Sequence, residues 1–139
     1  RSYGWPEDSA NPLSLALAYG VTFVAQGMSG DVKGLARLLV EAIRWPGFAF
    51  LEVLSPCVTW RGKIQFDIIR ERARPLPPEH DVTDLSAAFR YATDPDHYYM
   101  GIYYQQRKPA FHERIADLQS KAKERGVGSM EAMLARFKT

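Results

Sequence analysis

Apolar and polar residues alternate in blocks along this chain, and the blocks predict an α/β order. Asn11-Pro12 opens the first block as a helix cap followed by proline at the first helical position. Leu13 to Tyr19 reads as a short apolar helix, with Gly20 placed to end it. Val21 to Ala25 is β-branched and aromatic, which predicts a strand. Gln26 to Gly30 reads as a loop, and Asp31 can cap a helix running to about Arg44. Leu35, Leu38, Leu39, Ala42 and Ile43 give that helix one apolar face. Trp45-Pro46-Gly47 stops it. Phe48 to Leu54 is then almost continuously apolar, interrupted by Glu52 alone, as suits a strand buried on both faces of a parallel sheet.

A helix between two such strands implies that they run parallel in one sheet. Two strands cannot sustain a sheet of this kind alone. The missing strands are therefore expected from upstream sequence or from a partner chain. The opening residue is Arg1 rather than Met, and the start shows no signal peptide. Ser2 to Asn11 carries turn and loop residues. The expectation is a piece of something longer.

Beyond residue 57 the texture changes. Val58 to Lys63 reads as irregular, and Ile64 to Ala73 as a short helix. Arg74 to Glu79 is rich in proline and reads as a surface linker. Thr83 to Thr93 predicts a helix capped by Thr83 or Asp81. Tyr98 to Tyr104 is densely aromatic and fits a strand or an extended arm. Helices are predicted from about Ala110 to Arg125 and from Met130 to Phe137.

Composition narrows the classes. With 139 residues, 46% hydrophobic and 24% charged, the chain is that of a globular protein. A formal charge of +2 is small, so charge alone makes no strong case for nucleic-acid or acidic-membrane binding. No apolar run reaches the ~18 residues of a membrane span. One cysteine excludes an internal disulfide framework.

That cysteine, Cys57, follows Ser55-Pro56 at the carboxyl end of the second predicted strand. Proline ends the ladder there. Ligands collect at such ends in open α/β sheets. A buried, inert cysteine is the competing reading. A nucleophile would need a histidine nearby, and His80, His97 and His112 show neither triad nor metal-ligand spacing. The tyrosines at 98, 99, 103 and 104 could stack bases or dock on another surface. Arg70, Arg72 and Arg74, with Arg107 and Lys108, could meet phosphate or form a solvated face. No phosphate-binding glycine motif is present. Asp94-Pro95-Asp96-His97 is explained by turn chemistry.

Asn11 to Ala18, Val21 to Ala25 and Gly47 to Cys57 together resemble the β subunit of the 2-oxoacid:ferredoxin oxidoreductases. Leu76-Pro77-Pro78 with Asp81, Thr83-Asp84 and Ala87-Ala88 continues the likeness. Gly101 to Tyr104 with Arg107-Lys108-Pro109 looks like that subunit's C-terminal extension. The resemblance implies a fold, the trailing half of a thiamine-diphosphate-binding α/β parallel-sheet domain over residues 1–62. Residues 63–139 would be an extension of helices and an extended arm that docks on a neighbouring subunit through its tyrosines.

The resemblance also implies an activity. Such enzymes use thiamine diphosphate and Mg2+ to decarboxylate a 2-oxoacid oxidatively, hand the acyl group to coenzyme A, and pass electrons through a 4Fe–4S cluster to ferredoxin. Cys57 would then be a cluster ligand, the fourth beside three cysteines of the subunit's N-terminal part. The Gly-Asp-Gly and Cys-X2-Cys motifs of that part are absent from this sequence. No catalytic residue is assigned, and most cofactor ligands lie elsewhere. The implied partners are the remaining N-terminal part of the β subunit, an α subunit in a heterodimer or dimer of heterodimers, and ferredoxin. A cytoplasmic location is implied as well. A non-catalytic interaction or scaffold module descended from the same subunit is the alternative.

Overall fold

A computed structural model describes residues 9–126 and 128–137. The loop predicted from Ser2 lies outside the described residues as far as position 8. The chain divides into two compact units between Lys108 and Pro109.

The larger unit is built on a four-stranded sheet. Its elements are α1 (Pro12–Ala18), β1 (Phe23–Met28), α2 (Val32–Arg44), β2 (Ala49–Leu54), α3 (Val58–Arg61), α4 (Ile64–Arg72), β3 (Ala73–Pro75), α5 (Leu85–Ala92) and β4 (Tyr98–Gln105). The strand order is β2-β1-β4-β3. β1 pairs in parallel with β2 and antiparallel with β4, and β3 runs parallel to β4. Two further strands are thus supplied by the chain itself. The proline-rich segment could not announce this. Its Pro75 ends an edge strand of three residues, where a missing N–H costs no ladder bond.

Local signals fix the helix starts. The Asn11 side chain accepts from the Ser14 N–H at 3.0 Å, and its amide donates to the Ala92 carbonyl at 2.7 Å. One residue therefore caps α1 and ties it to the end of α5. Asp31 caps α2 through the Gly34 N–H at 2.9 Å. α5 is capped by Asp84, not by Thr83 or Asp81. Asp81 is engaged one turn earlier, accepting from both the N–H and the hydroxyl of Thr83. The segment after Cys57, expected to be irregular, contains the single helical turn of α3. β1 also runs on through Gln26, Gly27 and Met28, which the sequence suggested as loop.

The sheet separates two helical layers. On one face Phe23 packs on Trp45, and a Cβ on Gly27 would lie 3.1 Å from Leu35 and 3.3 Å from Leu38. That face belongs to α2. On the other face Val24 joins Leu13, Leu17, Ala88 and Ala92 of α1 and α5. Phe23, Val24 and Ala25 are wholly buried, so β1 is the centre of the core.

β4 carries the largest surprise. Its register with β1 passes from Val24 opposite Tyr104 to Ala25 opposite Ile102, leaving Tyr103 as an extra, bulged residue. Strict alternation would send neighbouring side chains to opposite faces. The bulge instead lets Tyr103 and Tyr104 both enter the α1–α5 core, where they are 1% and 6% exposed. These two tyrosines fill this chain's own interior, not a surface offered to a neighbouring subunit.

The smaller unit holds α6 (Phe111–Glu124) and α7 (Met130–Ala135). The Glu113 carboxylate reaches back to the Ala110 N–H at 2.7 Å, and Ser129 caps α7 through the Ala132 N–H. Neither helix has a buried residue.

Candidate functional site

Because β1 and β2 are parallel and β4 opposes them, three strand ends meet at one edge: Met28, Leu54 and Tyr98. The Ser29 N–H donates to the Leu54 carbonyl at 3.0 Å and closes the ladder. Ser55 and Pro56 lead off β2, and Cys57 follows in extended conformation as the residue before α3. Its side chain is exposed. Burial of the inert kind is therefore not what the structure gives this thiol.

Beside this edge lies a cleft of about 230 Å³ lined in part by Gln26, Glu52, Asp94, His97, Tyr98 and Tyr103. Gln26 is the buried polar residue of β1, 3% exposed. Its amide donates to the Glu52 carboxylate at 2.8 Å across the parallel pair, where the two residues are in register. The Tyr103 hydroxyl donates to the Tyr99 backbone carbonyl at 2.8 Å and lies 3.4 Å from the side-chain Oε1 of Gln26. The Tyr99 hydroxyl donates to Asp94 at 3.2 Å. A series of polar contacts thus links Glu52, Gln26, Tyr103 and the Tyr99 backbone carbonyl, and the Tyr99 hydroxyl makes a separate one to Asp94.

The charges along it are set by simple causes. The Asp96 backbone N–H, donating at 2.7 Å, holds the Asp94 carboxyl below the usual aspartate range, and the His97 N–H assists. Burial pushes the Tyr103 phenol well up. Tyr99 is also raised, first by burial and then by its bond to Asp94. At neutral pH the carboxylate is ionised and both phenols keep their protons. Among the described residues, no lysine or arginine lines the cleft.

The other sequence candidates are spent locally. Asp94 closes a turn, as its sequence suggested. Arg72 donates to the carbonyls of Asp96 and Pro95 and to the Tyr98 hydroxyl, and its guanidinium lies 4.5 Å from the Tyr98 ring centre. Arg74 donates to the carbonyls of Glu71 and Ala73. Of the three histidines, His80 bonds the β4 bulge and His97 borders the cleft, while His112 belongs to the smaller unit. Among the described residues no group of three or more His, Cys, Asp and Glu could hold a metal ion. Nor is any described helix long and apolar enough to cross a membrane. The Gln26–Glu52 pair is hidden in the sequence, where Gln26 reads as the first residue of a loop rather than as part of β1.

Residues 57–120 match the family model for the C terminal of the pyruvate ferredoxin oxidoreductase beta subunit. The 2-oxoacid:ferredoxin oxidoreductase subunit beta of a Sulfolobus species is 34% identical over 121 residues, 78% of this chain and 40% of that protein. The 2-oxoglutarate synthase subunit KorB of Methanocaldococcus jannaschii is 37% identical over 71 residues, 51% of this chain and 26% of that protein. A solved 2-oxoglutarate:ferredoxin oxidoreductase from Magnetococcus marinus, with 2-oxoglutarate, coenzyme A and succinyl-CoA bound, superposes with a TM-score of 0.82 at 32% identity. That superposition covers 99% of this chain and 47% of the other. The chain spans less than half the length of these relatives. In sequence and in fold, the chain resembles part of the β subunit of the 2-oxoacid:ferredoxin oxidoreductases, its relatives being subunits of oxidoreductase enzymes.

Proposed function

We propose that this chain is the C-terminal portion of the thiamine-diphosphate-binding subunit of a 2-oxoacid:ferredoxin oxidoreductase. The complete enzyme would carry out oxidative decarboxylation of a 2-oxoacid with coenzyme A as acyl acceptor and ferredoxin as electron acceptor. The observation that carries this reading is the exposed Cys57 thiol at the carboxyl edge of a sheet that superposes on such an enzyme.

The residues present fit one part of that machinery. A 4Fe–4S cluster takes four thiolates, and Cys57 is the one this chain can give. When bound, such a cluster accepts and passes single electrons. The remaining ligands, and those for thiamine diphosphate and Mg2+, would come from the N-terminal part of the subunit. The α subunit would complete the assembly, in the cytoplasm, where thiols stay reduced. We place the division between cofactor domain and extension at residues 62 and 63. β3 and β4 share one sheet with β1 and β2 across that boundary. The family model beginning at residue 57 supports a division in that region.

Anaerobic native mass spectrometry of the chain with its companion polypeptides tests the reading. The expected complex carries the mass of a 4Fe–4S cluster and of thiamine diphosphate. Cys57→Ser should remove or destabilise the cluster while thiamine diphosphate stays bound. A complex without iron, or a cluster indifferent to Cys57→Ser, would overturn the proposal.

A further inference from the structure

Charge is unevenly divided along this chain. The larger unit has as many acidic as basic residues, so the whole formal charge of +2 belongs to the smaller one, Pro109–Thr139. It is sorted again within α6. At about 3.6 residues per turn, Phe111, Ile115, Leu118 and Ala122 form one apolar stripe. Arg114, Lys121 and Arg125 run along one side of it, while Glu113, Asp117 and Glu124 lie on the reverse face.

α7 turns part of this stripe into a groove. A cavity of about 690 Å³ is lined by Leu118, Ala122 and Met133 and by Lys121, Arg125 and Arg136, among others. Lys121 bonds Asp117 at 2.6 Å, and both side chains stay exposed. Leu118 is 60% exposed and Met133 51%. Among the described residues, nothing buries this apolar floor, and its rim is cationic.

We infer that the groove is the docking surface for an acidic ferredoxin, the electron carrier of the proposed reaction. Carboxylates of the carrier meet Lys121, Arg125 and Arg136, and an apolar side chain covers Leu118 and Met133. The inference rests on the proposed function for the identity of the carrier. Charge complementarity selects this occupant over a second copy of the chain. Two copies packed antiparallel on the stripe would set basic flank against basic flank. The make-up of the groove selects it over a permanent subunit. Three of the nine lining residues are cationic, whereas the core of a permanent interface is depleted of charge. Small, charged surfaces suit redox encounters. Oxidative decarboxylation releases two electrons, and a cluster passes them singly, so the carrier docks and leaves within every turnover. Electrostatic attraction speeds such encounters without holding the complex together.

The test uses the complete enzyme, assayed with a small acidic 4Fe–4S ferredoxin and, separately, with methyl viologen. Arg125→Glu and Arg136→Glu should each raise the KM for ferredoxin about tenfold at low salt. Activity with methyl viologen, helicity by circular dichroism and subunit composition should not change. Arg125→Lys should restore most of the affinity. Lys33→Glu, the same change of charge on the larger unit, should leave the KM within about twofold. A KM indifferent to the groove substitutions, or equally sensitive to Lys33→Glu, would overturn the inference. Loss of a subunit in the groove variants would assign the groove to permanent assembly and overturn it as well. So would self-association, or binding to anionic phospholipid vesicles, that the same substitutions abolish while the ferredoxin KM stays fixed. A parent enzyme unable to reduce methyl viologen would sink the functional reading first, and this inference with it.

Discussion

The imidazole Nε2 of His80 lies 2.9 Å from the carbonyl oxygen of Tyr103, the residue that bulges out of the β4 ladder. A carbonyl only accepts, so Nε2 carries the proton. The ring also stands edge-on to Tyr91, with centroids 5.2 Å apart. A bulge leaves backbone groups without ladder partners, and His80 supplies one from the loop before α5. His80→Ala should destabilise the chain by about 1–3 kcal/mol, the range for stranding a buried acceptor. Urea denaturation followed by tryptophan fluorescence would measure it. A change within error would show that water replaces the ring at no cost.

Arg72 fastens the end of α4 to the turn that leads into β4. Its planar fork meets two carbonyls and a phenol at once, and its Cζ lies over the Tyr98 ring. Lysine keeps the charge but not the fork. Arg72→Lys should therefore lose most of what Arg72→Ala loses, about 1–2 kcal/mol. Equal stability of Arg72→Lys and the parent would mean that charge alone matters.

Acid should weaken the cleft. Asp94 titrates below the usual range when folded, because backbone N–H groups stabilise its carboxylate. Asp81 is lowered too, chiefly by the Thr83 N–H. A carboxyl with a depressed folded pKa contributes stability above its unfolded value, about 4. That contribution is lost as pH falls through the folded pKa. Asp94→Asn should flatten the dependence of unfolding free energy on pH below about 4. An unaltered slope between the two proteins would contradict the assignment.

Gly101 sits in β4 at φ +139°, and a Cβ there would lie 3.2 Å from the Leu76 side chain. Gly101→Ala combines backbone strain with crowding and should cost about 1–3 kcal/mol. Gly20 also has a positive φ, but no atom lies within 4 Å of its would-be Cβ. Gly20→Ala should cost less, about 1 kcal/mol. Thermal unfolding of the pair would separate strain from contact.

The elements most legible in the sequence are those with a cap and a clear period. Asn11-Pro12 and Asp31 mark helix starts that the structure confirms. The apolar run ending at Ser55 marks β2 and puts Cys57 past its end. What resists reading is long-range pairing. Nothing local tells Tyr98–Tyr104 that it lies beside β1, because that choice depends on residues some eighty positions away. The bulge at Tyr103 is equally silent, since one extra residue leaves the composition of a strand unchanged. Gln26 looks like loop because a buried amide makes sense only once Glu52 is known to stand opposite it. The exposed Ile43 and Phe48 give no sequence sign of their exposure, since apolar patterns look alike whether or not a partner covers them.

The position of β1 between a near and a distant partner has a consequence in time. β1 and β2 are complete once Leu54 has been made, but β4 ends at Gln105, roughly fifty residues later. At ribosomal rates of about 5–20 residues per second, that interval lasts roughly 2–10 s. Through it β1 lacks the neighbour that Tyr103 and Tyr104 will bring, and β1 and β2 alone do not make a stable sheet. The most buried strand of the finished protein thus waits for its second neighbour through that whole interval. Factors that shield nascent chains would have most to do between residues 54 and 105.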